Sequence, residues 1–310
     1  MLKTIEGIHH ITSLAKDAVR TDRFLTTVMG LRRVKKTVNF DAPEVYHLYY
    51  ANGTGEPGTV MTYFPFPNVV VGVRGAGEVG TTVFSVPEGS LDFWEKHLAA
   101  HGVGGLARGG RFGEARLHFH GADGDGFALV ETAQDRRSPW TGAGIPAEHA
   151  IRGFHSASLL LDDSAGTEEL LALMGFESVG AEGSVRRMAR AGGNGADIVD
   201  LETDAMAAPA RQGAGSVHHI AFAVADIAAQ RGVREALVKE GFAVTPVIDR
   251  DYFLSIYFRA PGGVLFEIAT NEPGFARDED LAHLGEALKL PRQHAHLRPY
   301  LESHLPPLGA

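Results

Sequence analysis

The feature that most constrains this chain is a short motif that recurs at nearly regular intervals. GIHHI at 7–11 resembles SVHHI at 216–220, and weaker copies are GTTVF at 80–84 and GFHSA at 153–157. The copies start at residues 7, 80, 153 and 216, so they are 73, 73 and 63 residues apart. Self-similarity at a near-constant period is typical of a tandem array of one structural unit. The sequence therefore predicts four similar units.

Each unit has the same predicted order of elements. It opens with alternating apolar and small residues, which indicate a β-strand. The next stretch has apolar residues at three- and four-residue spacing, which indicates a helix. A glycine suited to the left-handed capping position follows each helix: Gly30, Gly102, Gly175 and Gly241. Three short strands complete the unit, so we predict an α+β fold of four tandem βαβββ units.

A segment rich in proline and glycine, SPWTGAGIPAEH at 138–149, lies between units two and three and is typical of a linker. We therefore predict an N-terminal domain at 1–137 and a C-terminal domain at 150–272, each with two units. The tail at 273–310 has prolines, charges and a predicted short helix. We expect it to wrap the surface.

Composition excludes several classes of function. The net charge is −9, the pI is about 5.9, and there is no Lys/Arg-rich run, which argues against nucleic-acid or anionic-membrane partners. No apolar run approaches the roughly 20 residues of a membrane span. The first residues lack the apolar core of a signal peptide, so we expect a cytoplasmic protein. Because cysteine is absent, nitrogen and oxygen must hold any metal.

Strand alternation places one histidine of each HH pair on a face with room for a ligand. His219 shares its face with small residues such as Ala221, and the opposite face is bulky and apolar. His10 shares its face with Thr12. Glu267 lies between two apolar residues that face the core. A carboxylate placed there needs a metal, an arginine or solvent, because desolvating its charge is costly.

A lone histidine on a strand is usually a hydrogen-bonded structural residue, and a glutamate near a strand end is usually solvated. The combination is more informative, because two HH pairs have the same phase and one of those units ends in glutamate. Two imidazoles and one carboxylate form the facial triad of non-haem Fe(II) oxygenases. We predict a metal site of His10, His219 and Glu267.

Longer segments resemble the vicinal oxygen chelate superfamily, which includes glyoxalase I, bleomycin-resistance proteins and extradiol dioxygenases. The segments most similar to its hydroquinone ring-cleaving dioxygenases are GIHHIT, GTVMTYFPFP, SVHHIAF, DRDYFLSIYFRAPGGVLFEIAT and LKLPRQHAHLRPYLESHLPPL. The resemblance covers nearly the whole chain. It implies that the four units form two glyoxalase-like open barrels.

The resemblance also implies a set of site residues. His10, His219 and Glu267 would bind Fe(II), although Mn, Zn or Ni could occupy the same ligands in a purified sample. A second sphere would surround the substrate: His9, Thr12, His218, Arg250 and Tyr257.

Strand alternation agrees with only part of that second sphere. It supports Thr12 on the His10 face, but it sends His9 and His218 to the opposite face, under the helix, unless the strands bulge or twist. Arg250 could form a surface ion pair instead. In the site, its guanidinium would stabilise an anionic phenolate or a product carboxylate. Tyr257 could instead take part in ordinary strand packing. In the site, its hydroxyl would form a hydrogen bond with the substrate hydroxyl.

The third unit offers another first ligand. Some extradiol relatives take this histidine from the third unit, which here is His155. We favour His10, because it alone has the HHIT context. With His10 as a ligand, units one and four must pack together around the metal.

Other polar residues of units two and three have plainer interpretations. His118 and His120, beside Arg116, are expected to be solvated strand residues. Glu131 and Glu202 occupy the corresponding unit ends, and we expect them to mark a vestigial second site.

Three functions are compatible with these patterns. The favoured one is an Fe(II)-dependent extradiol-type dioxygenase that opens a hydroquinone-type or catechol-type ring with O₂. A glyoxalase-type isomerase or lyase would commonly need a second carboxylate, and VMTYF at 60–64 has no acid. A metal-free binding protein, as in bleomycin resistance, would be a shorter chain. The expected partners are a small aromatic substrate and O₂; a homo-oligomer stays open.

Overall fold

The structure is a computed structural model that describes residue 2 and residues 4–309. It contains the predicted βαβββ unit four times. Unit one comprises β1 (Ile5–Ala15), α1 (Ala18–Arg23) with a π-helical extension (Phe24–Val28), β2 (Arg32–Val38), β3 (Tyr46–Ala51) and β4 (Val60–Pro65). Unit two comprises β5 (Glu78–Pro87), α2 (Leu91–Ala100), β6 (Ala107–Arg111), β7 (Glu114–His120) and β8 (Gly126–Thr132).

The second half of the chain repeats this order. Unit three comprises β9 (Gly153–Leu161), α3 (Ala165–Leu173), β10 (Glu177–Glu182), β11 (Val185–Ala189) and β12 (Ile198–Thr203). Unit four comprises β13 (Val217–Val224), α4 (Ile227–Lys239), β14 (Ile248–Asp249), β15 (Phe253–Arg259) and β16 (Leu265–Pro273). The tail contains three 3₁₀ turns and α5 (Arg298–His304). No helix among these described residues is long and apolar enough to cross a membrane.

The strands form two eight-stranded sheets, and each sheet is shared by two units. The order β14-β15-β16-β13-β1-β4-β3-β2 joins units four and one, and β10-β11-β12-β9-β5-β8-β7-β6 joins units three and two. At the centre of each sheet, the first strands of the two units pair antiparallel. Each sheet curls into an open half-barrel, which confirms the predicted fold class. The division into domains at 138–149 stays a prediction, and each sheet takes strands from both segments.

The glycine that follows each helix has the predicted left-handed conformation. The φ angles are 68° at Gly30, 71° at Gly102, 92° at Gly175 and 90° at Gly241. Residues with a Cβ are strained at such angles, so glycine ends the helix without that cost. The four capping predictions are confirmed.

The bulky face of β13 packs into the core as predicted. The ring centroid of Phe222 lies 5.0 Å from that of Phe266 on β16 and 5.8 Å from that of Phe176. Val233 and Leu237 of α4 belong to the same buried cluster. Because this face is held against the helix, the face of small residues must point into the half-barrel.

The tail covers β2, the edge strand of the first sheet, which confirms the predicted wrap. The buried Lys35 pairs with Asp278 at 2.7 Å and also with Glu279. Arg33 donates to the carbonyl oxygen of Gly285 at 2.9 Å. An exposed edge strand invites pairing with other chains, and the tail occupies this edge.

Gly30→Ala should destabilise the protein more than Gly241→Ala. A Cβ at Gly30 would lie 2.5 Å from Ile145 Cγ1, whereas a Cβ at Gly241 would meet nothing within 4 Å. Both variants incur the left-handed cost of about 1–2 kcal/mol. Overpacking should add about 1–3 kcal/mol at Gly30 alone. Urea unfolding measures both losses, and equal losses would contradict the proposed contact with Ile145.

Candidate metal centre

Three potential ligand atoms converge inside the half-barrel of units one and four. The Nε2 atoms of His10 and His219 lie 3.2 Å apart. Glu267 Oε2 lies 3.3 Å from His10 Nε2 and 2.9 Å from His219 Nε2. All three residues are buried. Neighbouring ligands that each lie about 2.1 Å from a metal are roughly 3 Å apart, so these atoms fit one face of a coordination sphere.

Strand pairing explains why these residues meet. β1 and β13 are antiparallel neighbours, with His10 opposite Ala221 and Thr12 opposite His219. β13 and β16 run parallel, with Glu267 opposite Ala221. Unit one therefore packs against unit four, as the choice of His10 requires.

The Glu267 carboxylate has the partners expected of a metal ligand. It is fully buried, its Oε1 accepts a hydrogen bond from Ser255, and its Oε2 faces the Nε2 atoms of His10 and His219. Burial alone would raise the pKa of Glu267, but His10 and His219 hold that pKa well below its usual value. A buried carboxylate grouped with two imidazole nitrogens suits a divalent cation, since a buried charge needs a partner.

His9 and His218 lie beside His10 and His219, and not under the helix, where strand alternation alone would place them. Ile8 pairs with Phe222 and His10 with Ala221, so His9 is an extra residue in β1. Thr12 pairs with His219 and Ser13 with Val217, so His218 is an extra residue in β13. Each is the added residue of a β-bulge, which breaks the alternation and re-aims the side chain.

The Nδ1 atom of each bulged histidine lies within hydrogen-bond distance of the Nδ1 atom of the next histidine. His9 Nδ1 lies 2.9 Å from His10 Nδ1, and His218 Nδ1 lies 2.8 Å from His219 Nδ1. Burial, and then the adjacent histidine, lower the pKa of both His9 and His218 to about 3, so both rings are neutral.

For His10 to bind a metal through Nε2, its Nδ1–H must donate to His9 Nδ1, and the proton of His9 is then on Nε2. Such outer partners commonly orient metal-binding histidines. For His219 to bind through Nε2, its Nδ1–H must donate to His218, whose own proton is then on Nε2.

A cavity of about 360 Å³ opens onto the centre. That volume is within the range of small-molecule sites. Its walls include five aromatic residues: Phe40, Phe64, Phe66, Phe253 and Tyr257. Its polar lining includes His10, His47, His218, His219 and Arg250. Of the predicted second sphere, His218, Arg250 and Tyr257 reach the cavity. Thr12 is buried next to the centre with an unpartnered hydroxyl and does not line the cavity.

Arg250 and Tyr257 form a polar pair on the cavity wall. Arg250 Nε donates to the Tyr257 hydroxyl at 3.3 Å. Arg250 Nη1 also lies 3.6 Å from the exposed carboxylate of Asp41, so Arg250 forms the surface ion pair as well as lining the cavity. The Tyr257 ring centroid lies 5.7 Å from that of His219. Burial, and then the Glu267 carboxylate, raise the pKa of Tyr257, which keeps its hydroxyl protonated.

Sequence reasoning missed His47, which lies on the cavity wall with both ring nitrogens engaged. Its Nε2 lies 2.6 Å from Thr62 Oγ1, and its Nδ1 lies 2.8 Å from the Tyr49 hydroxyl. The strand pairing of unit one, compared with that of unit four, explains why this residue lies near the centre. Tyr49 pairs with Thr62 in unit one as Tyr257 pairs with Glu267 in unit four. Thr62 is therefore the unit-one counterpart of Glu267.

In the other half-barrel, Arg187 and Arg116 occupy the positions that correspond to Tyr257 and Tyr49. The register makes Asp200 the counterpart of Glu267, because Asp200 pairs with Ser158 and with Arg187. Asp200 Oδ1 lies 2.8 Å from Arg187 Nε, and its Oδ2 lies 3.4 Å from Arg116 Nη2. His155 bonds Glu114 at 3.1 Å and lies in this ion cluster, away from the metal centre. In this cluster, guanidinium groups form ion pairs with the carboxylates in place of a metal ion.

Three expectations for units two and three therefore change. His118 is half-buried beside the buried Arg116, whereas His120 is exposed as expected. Glu131 accepts from the backbone N–H of Leu91 at the start of α2. Glu202 pairs with Arg111 at 3.0 Å and lies two residues beyond Asp200. The error lay in aligning glutamates by sequence, whereas strand register aligns Asp200 with Glu267.

The chain belongs to the Glyoxalase/Bleomycin resistance protein/Dioxygenase superfamily, whose family model matches residues 7–268. It is 42% identical over 308 residues to MhqO of Bacillus subtilis (strain 168), which is provisionally named a ring-cleaving dioxygenase; the match covers 99% of this chain and 98% of that one. It is 38% identical over 302 residues to the chlorohydroquinone/hydroquinone 1,2-dioxygenase of Sphingobium indicum, covering 93% and 92%. The predicted family is confirmed.

Solved structures agree with this membership. A crystal structure of a provisionally assigned dioxygenase from Bacillus subtilis subsp. subtilis str. 168 has a TM-score of 0.95 and 41% identity, covering 99% of this chain and 98% of that one. Glyoxalase I from Zea mays has a TM-score of 0.65 at 13% identity, covering 86% and 92%. The second likeness shows a shared fold.

Glu267→Gln should abolish stable metal binding and leave the fold intact. The amide keeps the size of the carboxylate but removes the negative charge that would bind a dication. Glu202→Gln is the matched control, because Glu202 lies in the other half-barrel. Metal content after anaerobic loading and gel filtration, with circular dichroism as the fold check, measures both. A Glu267→Gln variant that retains a full equivalent of metal would refute the ligand set.

Proposed function

We propose that this protein is an Fe(II)-dependent, extradiol-type dioxygenase that opens a hydroquinone-type aromatic ring with O₂. The observation that carries the proposal is a site with three ligands, His10, His219 and Glu267, that faces an aromatic-walled cavity. Three protein ligands on one face leave coordination positions for substrate and O₂. The named activities of the relatives support the same reaction.

The cavity walls suit a planar phenolic ring. Phe64, Phe253 and Tyr257 offer apolar and aromatic surface, and Arg250 offers a positive charge. Aromatic pairs prefer offset or edge-to-face contacts, which such a wall allows. Hydroquinones are favoured over catechols by the name of the Sphingobium relative.

The proposed reaction breaks the ring carbon–carbon bond beside one hydroxylated carbon, and both atoms of O₂ enter the product. The hydroxylated carbon becomes a carboxylic acid, and a neighbouring carbon that carries hydrogen becomes an aldehyde. O₂ is the oxidant, and no external reductant is consumed. Bound Fe(II) would supply the redox chemistry between ring and O₂ that side chains lack.

The protein's own groups would bind and orient the substrate. Arg250 would hold a phenolate, and later the product carboxylate, by charge-assisted hydrogen bonds. The Tyr257 hydroxyl already accepts from Arg250, so its own proton is available to a substrate oxygen. His218 Nε2–H is a second donor on the cavity wall. The phenylalanines would exclude water from the reacting ring.

A glyoxalase-type isomerase is less well supported. That chemistry commonly uses a second carboxylate, and the counterpart of Glu267 in unit one is Thr62. The Thr62 hydroxyl is paired with His47 Nε2 at 2.6 Å and offers no carboxylate. A metal-free binding protein is also less well supported, because it would have no use for a fully buried carboxylate grouped with two imidazole nitrogens.

Fe(II)-loaded protein should consume O₂ when given hydroquinone, methylhydroquinone or chlorohydroquinone. The expected stoichiometry is one O₂ per ring, with a new ring-opened chromophore, and slower uptake with catechol. An oxygen electrode and absorbance spectra measure both. Protein loaded with Zn(II) is the control, because Zn(II) has no redox chemistry. Iron-loaded protein without uptake would overturn the proposal, and thiol-adduct substrates would then test the isomerase.

Tyr257→Phe should lower kcat/KM for the aromatic substrate by roughly tenfold or more, with unchanged metal content. The variant loses one hydrogen bond to a charged or reacting oxygen, and that interaction is normally worth this much. Tyr252→Phe is the control, because its hydroxyl bonds Asp278 in the tail and does not line the cavity. Equal kinetics for both variants would remove Tyr257 from the mechanism.

A further inference from the structure

The loop between β2 and β3, residues 39–45, forms one wall of the cavity. Asn39, Phe40, Asp41 and Ala42 line it on the side where Arg250 lies. The Arg250 guanidinium carbon lies 5.4 Å from the ring centroid of Phe40, within range of a cation–π contact. The position of this loop therefore sets the position of the cationic group proposed to hold the substrate.

Hydrogen bonds within the loop close its base and its turn, but the carbonyl oxygen at its tip bonds residues of the tail. Asn39 Oδ1 accepts from the backbone N–H groups of Asp41 and Ala42 at 2.8 and 3.1 Å. The backbone N–H of Asn39 donates to the carbonyl of Val45 at 2.8 Å. These bonds close the base and the turn. The carbonyl of Phe40, at the tip, accepts from the tail instead.

Two neighbouring tail side chains reach that carbonyl. Gln293 Nε2 donates to the Phe40 oxygen at 3.1 Å, and His294 Nε2 lies 2.8 Å from the same oxygen. The Tyr300 hydroxyl donates to Glu44 Oε1 at 2.8 Å, farther along the loop. The loop is thus held between Arg250 on the cavity side and the tail on the outer side.

The tail is itself fixed on both sides of these contacts. The backbone N–H of Lys289 donates to the carbonyl of Lys36 at 2.9 Å, next to β2. Beyond the contacts, the Tyr46 hydroxyl donates to the carbonyl of Pro306 at 3.0 Å. Because both ends are anchored on unit one, Gln293 and His294 are presented to the loop from a fixed support.

We propose that Gln293 and His294 are positioning residues that hold the 39–45 loop in the geometry that binds the phenolic ring, an inference that rests on the proposed function. They act through the loop and touch neither the ligand histidines nor the cavity. Their loss frees the loop, weakens the Phe40–Arg250–Asp41 contact and lowers the affinity for the ring. Metal binding is unaffected.

The test compares Gln293→Ala/His294→Ala with wild type and with His296→Ala, in the full-length chain. His296 is exposed on the same tail segment, and none of the hydrogen bonds found among the described residues joins it to the loop. Hydrogen exchange of the metal-free protein reports on residues 39–45 whatever the function. Anaerobic calorimetry of the Fe(II)-loaded protein with chlorohydroquinone reports on affinity, and metal analysis reports on the centre.

In the double variant, exchange of the 39–45 segment should accelerate about tenfold, as expected for two lost hydrogen bonds. The dissociation constant and the KM for chlorohydroquinone should rise similarly, with kcat and metal content unchanged. The His296→Ala variant should match wild type. Unchanged exchange would overturn the positioning role, and faster exchange with unchanged affinity would overturn its link to the substrate. Wild type that binds no chlorohydroquinone would instead overturn the proposed function, while the exchange comparison still decides whether the tail holds the loop.

Discussion

The antiparallel pairing of β1 with β13 is the constraint on which the site depends. It joins the first unit to the last, and it places His10 and His219 on adjacent strands although 208 residues lie between them. Of the three register shifts in this pairing, two add a histidine beside His10 or His219. The strand pairing thus positions His10 and His219, and its bulges supply their hydrogen-bond partners, His9 and His218. A regular ladder would turn His9 and His218 towards the core.

Units one and four share a framework but differ in the residues placed on it. The His10 position is repeated at His219, whereas the Glu267 position carries Thr62, and the Tyr257 position carries Tyr49. The unit-four side of the half-barrel thus carries a carboxylate, and the unit-one side carries a neutral hydroxyl at the equivalent position. On the neutral side, Tyr49, His47 and Thr62 satisfy one another's hydrogen bonds, so no cation is needed there.

Much of this arrangement was readable in the sequence. Periodic motifs and capping glycines predicted four βαβββ units, and strand alternation brought His10, His219 and Glu267 to one face. Alternation failed at His9 and His218, because a bulge adds a residue without altering the local composition. It also failed for Glu202, since sequence similarity at a unit end does not determine strand register. The role of Phe40 depends on tail contacts more than 250 residues away, which no local pattern encodes.

The pairing of first unit with last also has a consequence for how the chain folds. Units two and three are consecutive, so their sheet can form while the rest is still being synthesised, whereas β1 must wait for β13. At about 5–20 residues per second, the interval between residues 10 and 219 is roughly 10–40 s. During that time β1 can pair with β4, but its other edge has no native partner, and long-range pairing of this kind is slow. Affinity for metal would arise only when the final strand docks, so truncated chains should not sequester iron.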